Sequence, residues 1–126
     1  MRAVLDTSVL LSNVVKPLPG ELAVSAATMA ELHFGVLVAD NGRVRATRLR
    51  KLRALQRRFD PLPIDDAVAE SYGELASAVV SAGRQPRARV MDILIAATAH
   101  AHDAQLYTLN PKDFKGIDDL VQVVTV

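Results

Sequence analysis

The stretch "VLDTSVLL", Val4 to Leu11, is the most informative part of the sequence for the fold, because an apolar run stops there at a carboxylate and two hydroxyls and then becomes apolar again. The preceding residues are typical of a short buried strand, and Asp6, Thr7 and Ser8 are of the types that begin helices. We therefore predict a strand followed by a short helix from about Ser8 to Val15. An ionised carboxylate beside a hydrophobic core is costly unless it is paired, so Asp6 needs a partner.

The alternation of strand and helix patterns continues along the chain. After turn residues at Lys16 to Gly20, "LAVSA" is strand-like, and a helix that carries "MAELHFGVLVA" follows, capped by Ser25 or Thr28 and ending near Asp40. Further helices are predicted at Arg43 to Phe59, at "DDAVAESYGELASAVVSAG" and at "MDILIAATAHAH". The segment "DPLPIDD" is predicted to be an edge strand or connector, and "RQPRARV" a basic loop. The last two predicted strands are "AQLYTLN" and "LVQVVTV". Strands separated by helices indicate an α/β fold, a three-layer α/β/α sandwich around a central, mostly parallel sheet.

The composition narrows the class of protein. With 126 residues, half of them hydrophobic, residues 1–126 are expected to form one domain. No apolar run has the length of a membrane span, and the start lacks the pattern of a signal peptide, so a cytoplasmic protein without membrane contact is expected. Without cysteine, a disulfide framework, a thiolate nucleophile and a zinc-cysteine site are excluded.

Charge is strongly segregated along the sequence. Between Arg43 and Arg58 lie eight of the fifteen basic residues and no acidic ones, a charge of +8, so the rest carries seven basic and fourteen acidic residues, a charge of −7. The predicted helix that contains this segment could bind RNA phosphates, cover an acidic protein surface or remain solvated. Arg84, Arg87 and Arg89 stand closer in sequence to the predicted functional edge, and substrate contact and a solvated loop are equally open for them.

Acidic and amide side chains are predicted to gather at one edge of the sheet, because the loops that follow parallel strands meet there. Asp6 ends the first strand, Glu31 lies in the first turns of its helix, and Asp92 begins an apolar helix. Asn110 and Asp113 follow the strand "LYTL". Taken singly, Asp6 could simply cap a helix, Glu31 could be an exposed acid, and Asn110 and Asp113 could belong to an ordinary turn.

Convergence of the acids favours a cation. Several carboxylates at one edge raise each other's pKa unless a positive charge neutralises them. Ligands that are all oxygen suit Mg²⁺ or Mn²⁺, and one or two such ions can support phosphodiester hydrolysis. His33, His100 and His102 do not share a helix face with these acids, so we interpret them as structural or solvent-facing.

The acidic motifs also resemble a known family. "LDTSVLL" with Asp6, "MAELHFG" with Glu31, "MDILIAATA" with Asp92 and "TLNPKDF" with Asn110 and Asp113 are similar, in order and spacing, to those of the PIN-domain ribonucleases. The short form is most similar to the VapC toxins of bacterial VapBC toxin-antitoxin pairs.

The resemblance implies a Mg²⁺- or Mn²⁺-dependent endoribonuclease that forms a homodimer and is held by a small antitoxin whose C-terminal segment occupies the active-site groove. Asp6, Glu31 and Asp92 would be the central metal ligands, Asp113 the fourth, and Thr7 and Asn110 supporting polar groups. The alternative is a catalytically weak PIN fold that binds RNA or protein. The presence of all four acids disfavours it, because a binding module does not need a costly carboxylate cluster.

Overall fold

A four-stranded parallel sheet organises the molecule, which we describe from a computed structural model at residues 1–12 and 17–126. The strand order is β2-β1-β3-β4, and every neighbouring pair is parallel. In chain order the elements are β1 (Arg2–Leu5), α1 (Thr7–Leu11), β2 (Glu21–Ala23), α2 (Ala26–Leu37), α3 (Gly42–Arg58), α4 (Asp66–Ser81), α5 (Val90–Ala101), β3 (Gln105–Thr108) and β4 (Val123–Thr125), with short 3₁₀ helices at Pro86–Arg89 and Pro111–Phe114.

Two hydrophobic cores lie on the two faces of the sheet. Successive side chains of a strand point to opposite faces, so Val4 and Leu106 pack into one core while Leu5 and Tyr107 pack into the other. The first core is formed with α4 and α5, and the second with α2 and α3. The predicted three-layer α/β/α sandwich with a parallel sheet is therefore confirmed.

Most predicted elements are present, with differences at their ends. α1 begins at Thr7 and ends at Leu11, earlier than the predicted end near Val15, because the backbone of Ser12 is already extended; Val15 itself lies outside the described residues. α2 ends at Leu37, earlier than predicted, and "RQPRARV" is not an irregular loop because Pro86 begins a 3₁₀ helix there. The segment "DPLPIDD" contributes one parallel bridge, between Leu62 and Ser25. No helix of the described residues is long and apolar enough to cross a membrane.

Two buried hydroxyls join α2 to α5. Ser25 and Thr98 are both fully buried, with their oxygens 2.9 Å apart. Thr98 donates its hydrogen to the Leu94 carbonyl, so Ser25 is the donor to Thr98. The Ser25 oxygen also accepts from the Ala27 N–H and thereby caps α2, as one of the two predicted candidates.

Ser25→Ala is expected to lower the free energy of unfolding by about 2 kcal/mol, because it removes both a helix cap and a buried hydrogen bond. Asn41→Ala is the matched comparison, since Asn41 caps α3 at an exposed position. Its loss is expected to be about 1 kcal/mol or less. Urea denaturation of both variants measures the difference, and equal losses would show that the buried bond to Thr98 contributes nothing.

Candidate active site

Four acidic side chains lie around the carboxyl edge of the sheet. Asp6 follows β1, and Asp113 lies in the 3₁₀ helix that follows β3. Asp92 occupies the first turn of α5, and Glu31 lies in α2, which follows β2. The neighbouring strands β1 and β3 are parallel, so their following loops come out at the same edge.

Asp6 is the most buried of these acids, with 5% of its surface exposed. It stands at the N-cap position of α1, but its carboxylate makes no cap hydrogen bond. Instead, the hydroxyls of Ser8 and Thr108 each donate to Oδ2 at 2.8 Å. Both donors bind Oδ2, so the described part of the chain gives Oδ1 no hydrogen bond and leaves it open to a ligand.

Glu31 is held by Thr7, the residue that follows Asp6. The Thr7 hydroxyl donates to Glu31 Oε1 at 2.7 Å and lies 3.2 Å from the buried hydroxyl of Thr28. Thr7 therefore connects the first turn of α1 to the acid on α2, and its supporting role remains a prediction.

Arg89 contacts the other two acids, Asp92 and Asp113. Its Nη1 donates to Asp113 Oδ1 at 2.8 Å and lies 3.7 Å from Asp92 Oδ2. All three side chains are about one third exposed, so the guanidinium partly neutralises this side of the cluster without sealing it from solvent.

The charges of the cluster change the pKa of Asp92. The pKa of Asp92 is raised to about 6, first by burial and then by the negative charges of Asp6, Asp113 and Glu31, in that order. Arg89 opposes them and does not cancel the shift. The other three acids therefore act on Asp92, and the one guanidinium beside it does not neutralise their combined effect.

The arrangement of the acids is nevertheless open. Among residues 1–12 and 17–126, no three acidic or histidine side chains are close enough to hold one ion together. The contacts above explain this spacing, since Asp113 is drawn towards Arg89 and Glu31 towards Thr7. The donor chemistry and the negative charge that Arg89 leaves unneutralised fit a hard divalent cation, whereas closure around it requires these side chains to turn.

The remaining predicted residues occupy different places. The Asn110 side chain is exposed and forms none of the hydrogen bonds found in the described part of the chain, while its backbone N–H donates to Thr108 Oγ1 at 2.9 Å. Arg84 lines a cleft beside Asp113, but Arg87 lines a separate groove with Tyr72.

The three histidines contact other parts of the protein. His33 lies near Gln56 on α3, His100 shares a hydrogen bond with Ser71, and His102 lies 3.2 Å from Arg2. These contacts agree with the structural and solvent-facing interpretation from the sequence.

The sequence reasoning missed the residues that fix Asp6. Ser8 and Thr108 are its two donors, and the Ser8 oxygen also accepts from the Leu109 N–H at 3.1 Å. A signal for Thr108 was present, because the register pairs Leu5 with Tyr107 and so places the next residues of β1 and β3 side by side.

Comparison with known proteins assigns the chain and its fold to one family. The PIN domain profile matches residues 3–120. The chain therefore belongs to the PIN-domain family, and within it to the VapC ribonucleases. It is 39% identical to ribonuclease VapC4 of Mycobacterium tuberculosis over 106 residues, covering 84% of this chain and 78% of that protein. It is 32% identical to ribonuclease VapC5 of the same organism, covering 95% of this chain and 90% of that protein.

Solved structures agree with this assignment. A chain of the toxin-antitoxin complex VapBC-5 from Mycobacterium tuberculosis superposes with a TM-score of 0.85 at 32% identity, covering 99% of this chain and 97% of that one. A chain of VapBC2 from Rickettsia felis, solved with a DNA fragment from the promoter, superposes with a TM-score of 0.81 at 25% identity, covering 100% of this chain and 99% of that one.

Proposed function

We propose that the protein is a divalent-metal-dependent endoribonuclease that hydrolyses RNA phosphodiester bonds and serves as the toxin of a type II toxin-antitoxin pair. The gathering of four carboxylates around one edge of the sheet carries this proposal, and three of them add to burial in raising the pKa of the fourth, Asp92. The naming of the relatives as ribonucleases supplies the reaction class.

The cation that fits the chemistry of this cluster is Mg²⁺ or Mn²⁺, which Asp6, Glu31, Asp92 and Asp113 would hold. When bound, such an ion activates water and stabilises the leaving oxygen of the phosphodiester. Ser8 and Thr108 fix Oδ2 of Asp6, so Oδ1 would be the oxygen that binds the ion. Thr7 sets the position of Glu31, and Asn110 would add a polar group at the edge.

In the same reaction, Arg89 would bind a phosphate of the substrate. It touches Asp113 and Asp92, so it stands beside the position that a phosphate must reach to be cut. A guanidinium can pair with two phosphate oxygens at once, and Arg89 would do so as Asp113 turns towards the ion.

The proposed partners are a VapB-type antitoxin and a second copy of the chain. The solved relatives are VapBC assemblies, which supports an antitoxin for this protein. An exposed apolar patch on α2, formed by Phe34 and Leu37, supports contact with another protein. The same patch would suit either partner.

The decisive experiment is cleavage of total RNA by the purified protein with Mg²⁺, with Mn²⁺ and with EDTA. Discrete fragments are expected with metal and none with EDTA, and Asp6→Asn is expected to abolish them. Glu21→Gln is the matched control, because it removes one exposed carboxylate at the opposite end of the strands. Folded protein free of antitoxin that cuts with neither metal would favour the binding module instead.

A further inference from the structure

A cleft with basic walls opens directly beside the acid cluster. It has a volume of about 340 Å³, within the range of small-ligand sites, and it lies between the end of α4, the start of α5 and the segment after β3. Asp113 and Arg89 belong to both the cleft and the acid cluster. A ligand in the cleft would therefore lie next to the phosphate that the proposed ribonuclease cuts.

Two further cations line this cleft. Arg84 follows α4 and Lys115 follows the 3₁₀ helix that carries Asp113. Arg84 Nη1 donates to the Lys115 carbonyl at 3.4 Å, which joins the two segments across the cleft. In the described parts of the chain, neither Arg84 nor Lys115 forms a salt bridge, so both charges are available to an anion.

The deeper wall of the cleft is apolar. Val79, Ile93 and Ile117 line it with the few atoms that the protein leaves uncovered, and the exposed Ala88 adds apolar surface beside them. An apolar wall beneath a basic rim suits a ligand that has a flat or weakly polar body and an attached phosphate. A nucleotide has this combination, whereas a bare phosphate would leave the apolar wall uncovered.

We propose that this cleft binds one nucleotide of a single-stranded RNA, on the Asp113 side of the bond that is cut, with its phosphate held by Arg84 and Lys115. The inference rests on the proposed ribonuclease function and adds the place where the substrate strand runs. Continuity with Asp113 and Arg89 favours RNA over a protein segment, because the strand must pass the acids to be cleaved.

The sequence grouped Arg84, Arg87 and Arg89 as equivalent contacts, and this proposal separates them. Arg87 lines the groove formed with Tyr72, Gln85, Pro86 and Val90 and does not line the nucleotide cleft. Lys115, rather than Arg87, is the second residue that binds the phosphate in this proposal.

The test measures RNA binding in the Asp6→Asn background, where the strand is not cut. The probe is a short fluorescein-labelled single-stranded RNA, followed by anisotropy at several salt concentrations. Adding Arg84→Gln or Lys115→Gln is expected to weaken binding roughly three- to tenfold and to lower the salt slope by about 0.7 for the lost phosphate contact. Lys115→Gln leaves the Lys115 carbonyl, and therefore its bond from Arg84, unchanged.

Two controls separate a phosphate contact from general charge and from misfolding. Arg84→Lys keeps the charge and is expected to restore most of the affinity. Arg2→Gln removes one positive charge at the start of β1, at the other end of the sheet, and is expected to leave affinity and salt slope unchanged. Binding by Arg84→Gln and Lys115→Gln that equals binding by Arg2→Gln would overturn the inference.

This outcome can be distinguished from failure of the proposed function. If the unaltered protein cuts RNA with metal while both cleft variants bind normally, the nucleotide site is wrong and the ribonuclease stands. If the unaltered protein cuts no RNA while the cleft variants lose RNA affinity, the cleft stands as an RNA site and the ribonuclease proposal falls.

Discussion

Asp92→Asn is expected to abolish RNA cleavage and at the same time to make the metal-free protein more stable at neutral pH. The carboxylate is half-buried and lies in the field of three other acids, which raises its pKa to about 6. Above that pH the folded protein bears the cost of an ionised group that the unfolded chain ionises freely. The amide removes this cost and with it a proposed metal ligand.

The sign of the pH dependence follows from the raised pKa. Between the ordinary pKa of 3.8 and the folded value of about 6, the folded state binds more protons at Asp92 than the unfolded state does. The wild-type protein therefore loses stability relative to Asp92→Asn as the pH rises through this window. The penalty is fully present above about pH 6 and absent below about pH 4.

Thermal unfolding in EDTA measures this difference. Allowing for the solvent that reaches part of the side chain, the penalty is roughly 1–2 kcal/mol, or a rise of about 3–8 °C in Tm for Asp92→Asn at pH 7.5. Asp118→Asn is the control, since it removes an exposed carboxylate outside the cluster. A variant no more stable than wild type at pH 7.5, or one that still cuts RNA, would contradict the role given to Asp92.

The fold was predictable from the sequence because helix patterns separate the strand patterns of β1, β2 and β3, even though four helices follow one another between β2 and β3. This order of elements permits few arrangements other than a parallel sheet with helices on both faces, and the structure has that arrangement. The ends of elements were less predictable. Leu37 and Val38 are apolar enough to continue α2, but both are exposed, so no packing extends the helix beyond them.

The gathering of the acids was predictable for a related reason. The positions of Asp6 and Asp113 follow from strand ends alone, because β1 and β3 are parallel neighbours. The orientation of each carboxylate was not predictable, since it depends on side-chain donors from other elements. Thr108 reaches Asp6 across the sheet, and Arg89 pairs with Asp113, 24 residues away.

The basic residues illustrate the same limit. Arg84 and Arg87 are equivalent in sequence, three residues apart in a stretch that we expected to be a loop. The 3₁₀ helix that begins at Pro86 rotates Arg87 towards Tyr72, whereas Arg84 precedes it and bonds to the Lys115 carbonyl. Sequence proximity to Asp92 was therefore insufficient to choose between the two arginines.

Expression of the protein in a bacterial host that lacks its antitoxin is expected to arrest growth. An enzyme that turns over can destroy many RNA molecules per copy, so even low expression should stop translation. Asp6→Asn is expected to let the cells grow at the rate of an empty-vector culture, because the hydroxyls of Ser8 and Thr108 leave Oδ1 of Asp6 as the oxygen for a metal. Optical density and colony counts after induction measure the effect.

The interpretation of this experiment depends on equal protein levels, which an immunoblot of both cultures provides. Glu21→Gln controls for loss of a carboxylate in general and should remain toxic, since Glu21 is exposed and begins β2 at the opposite end of the strands. Normal growth with a protein that cuts RNA in vitro would remove the toxin role and leave a housekeeping nuclease. Arrest that persists in Asp6→Asn would instead show that growth is blocked by binding rather than by cleavage.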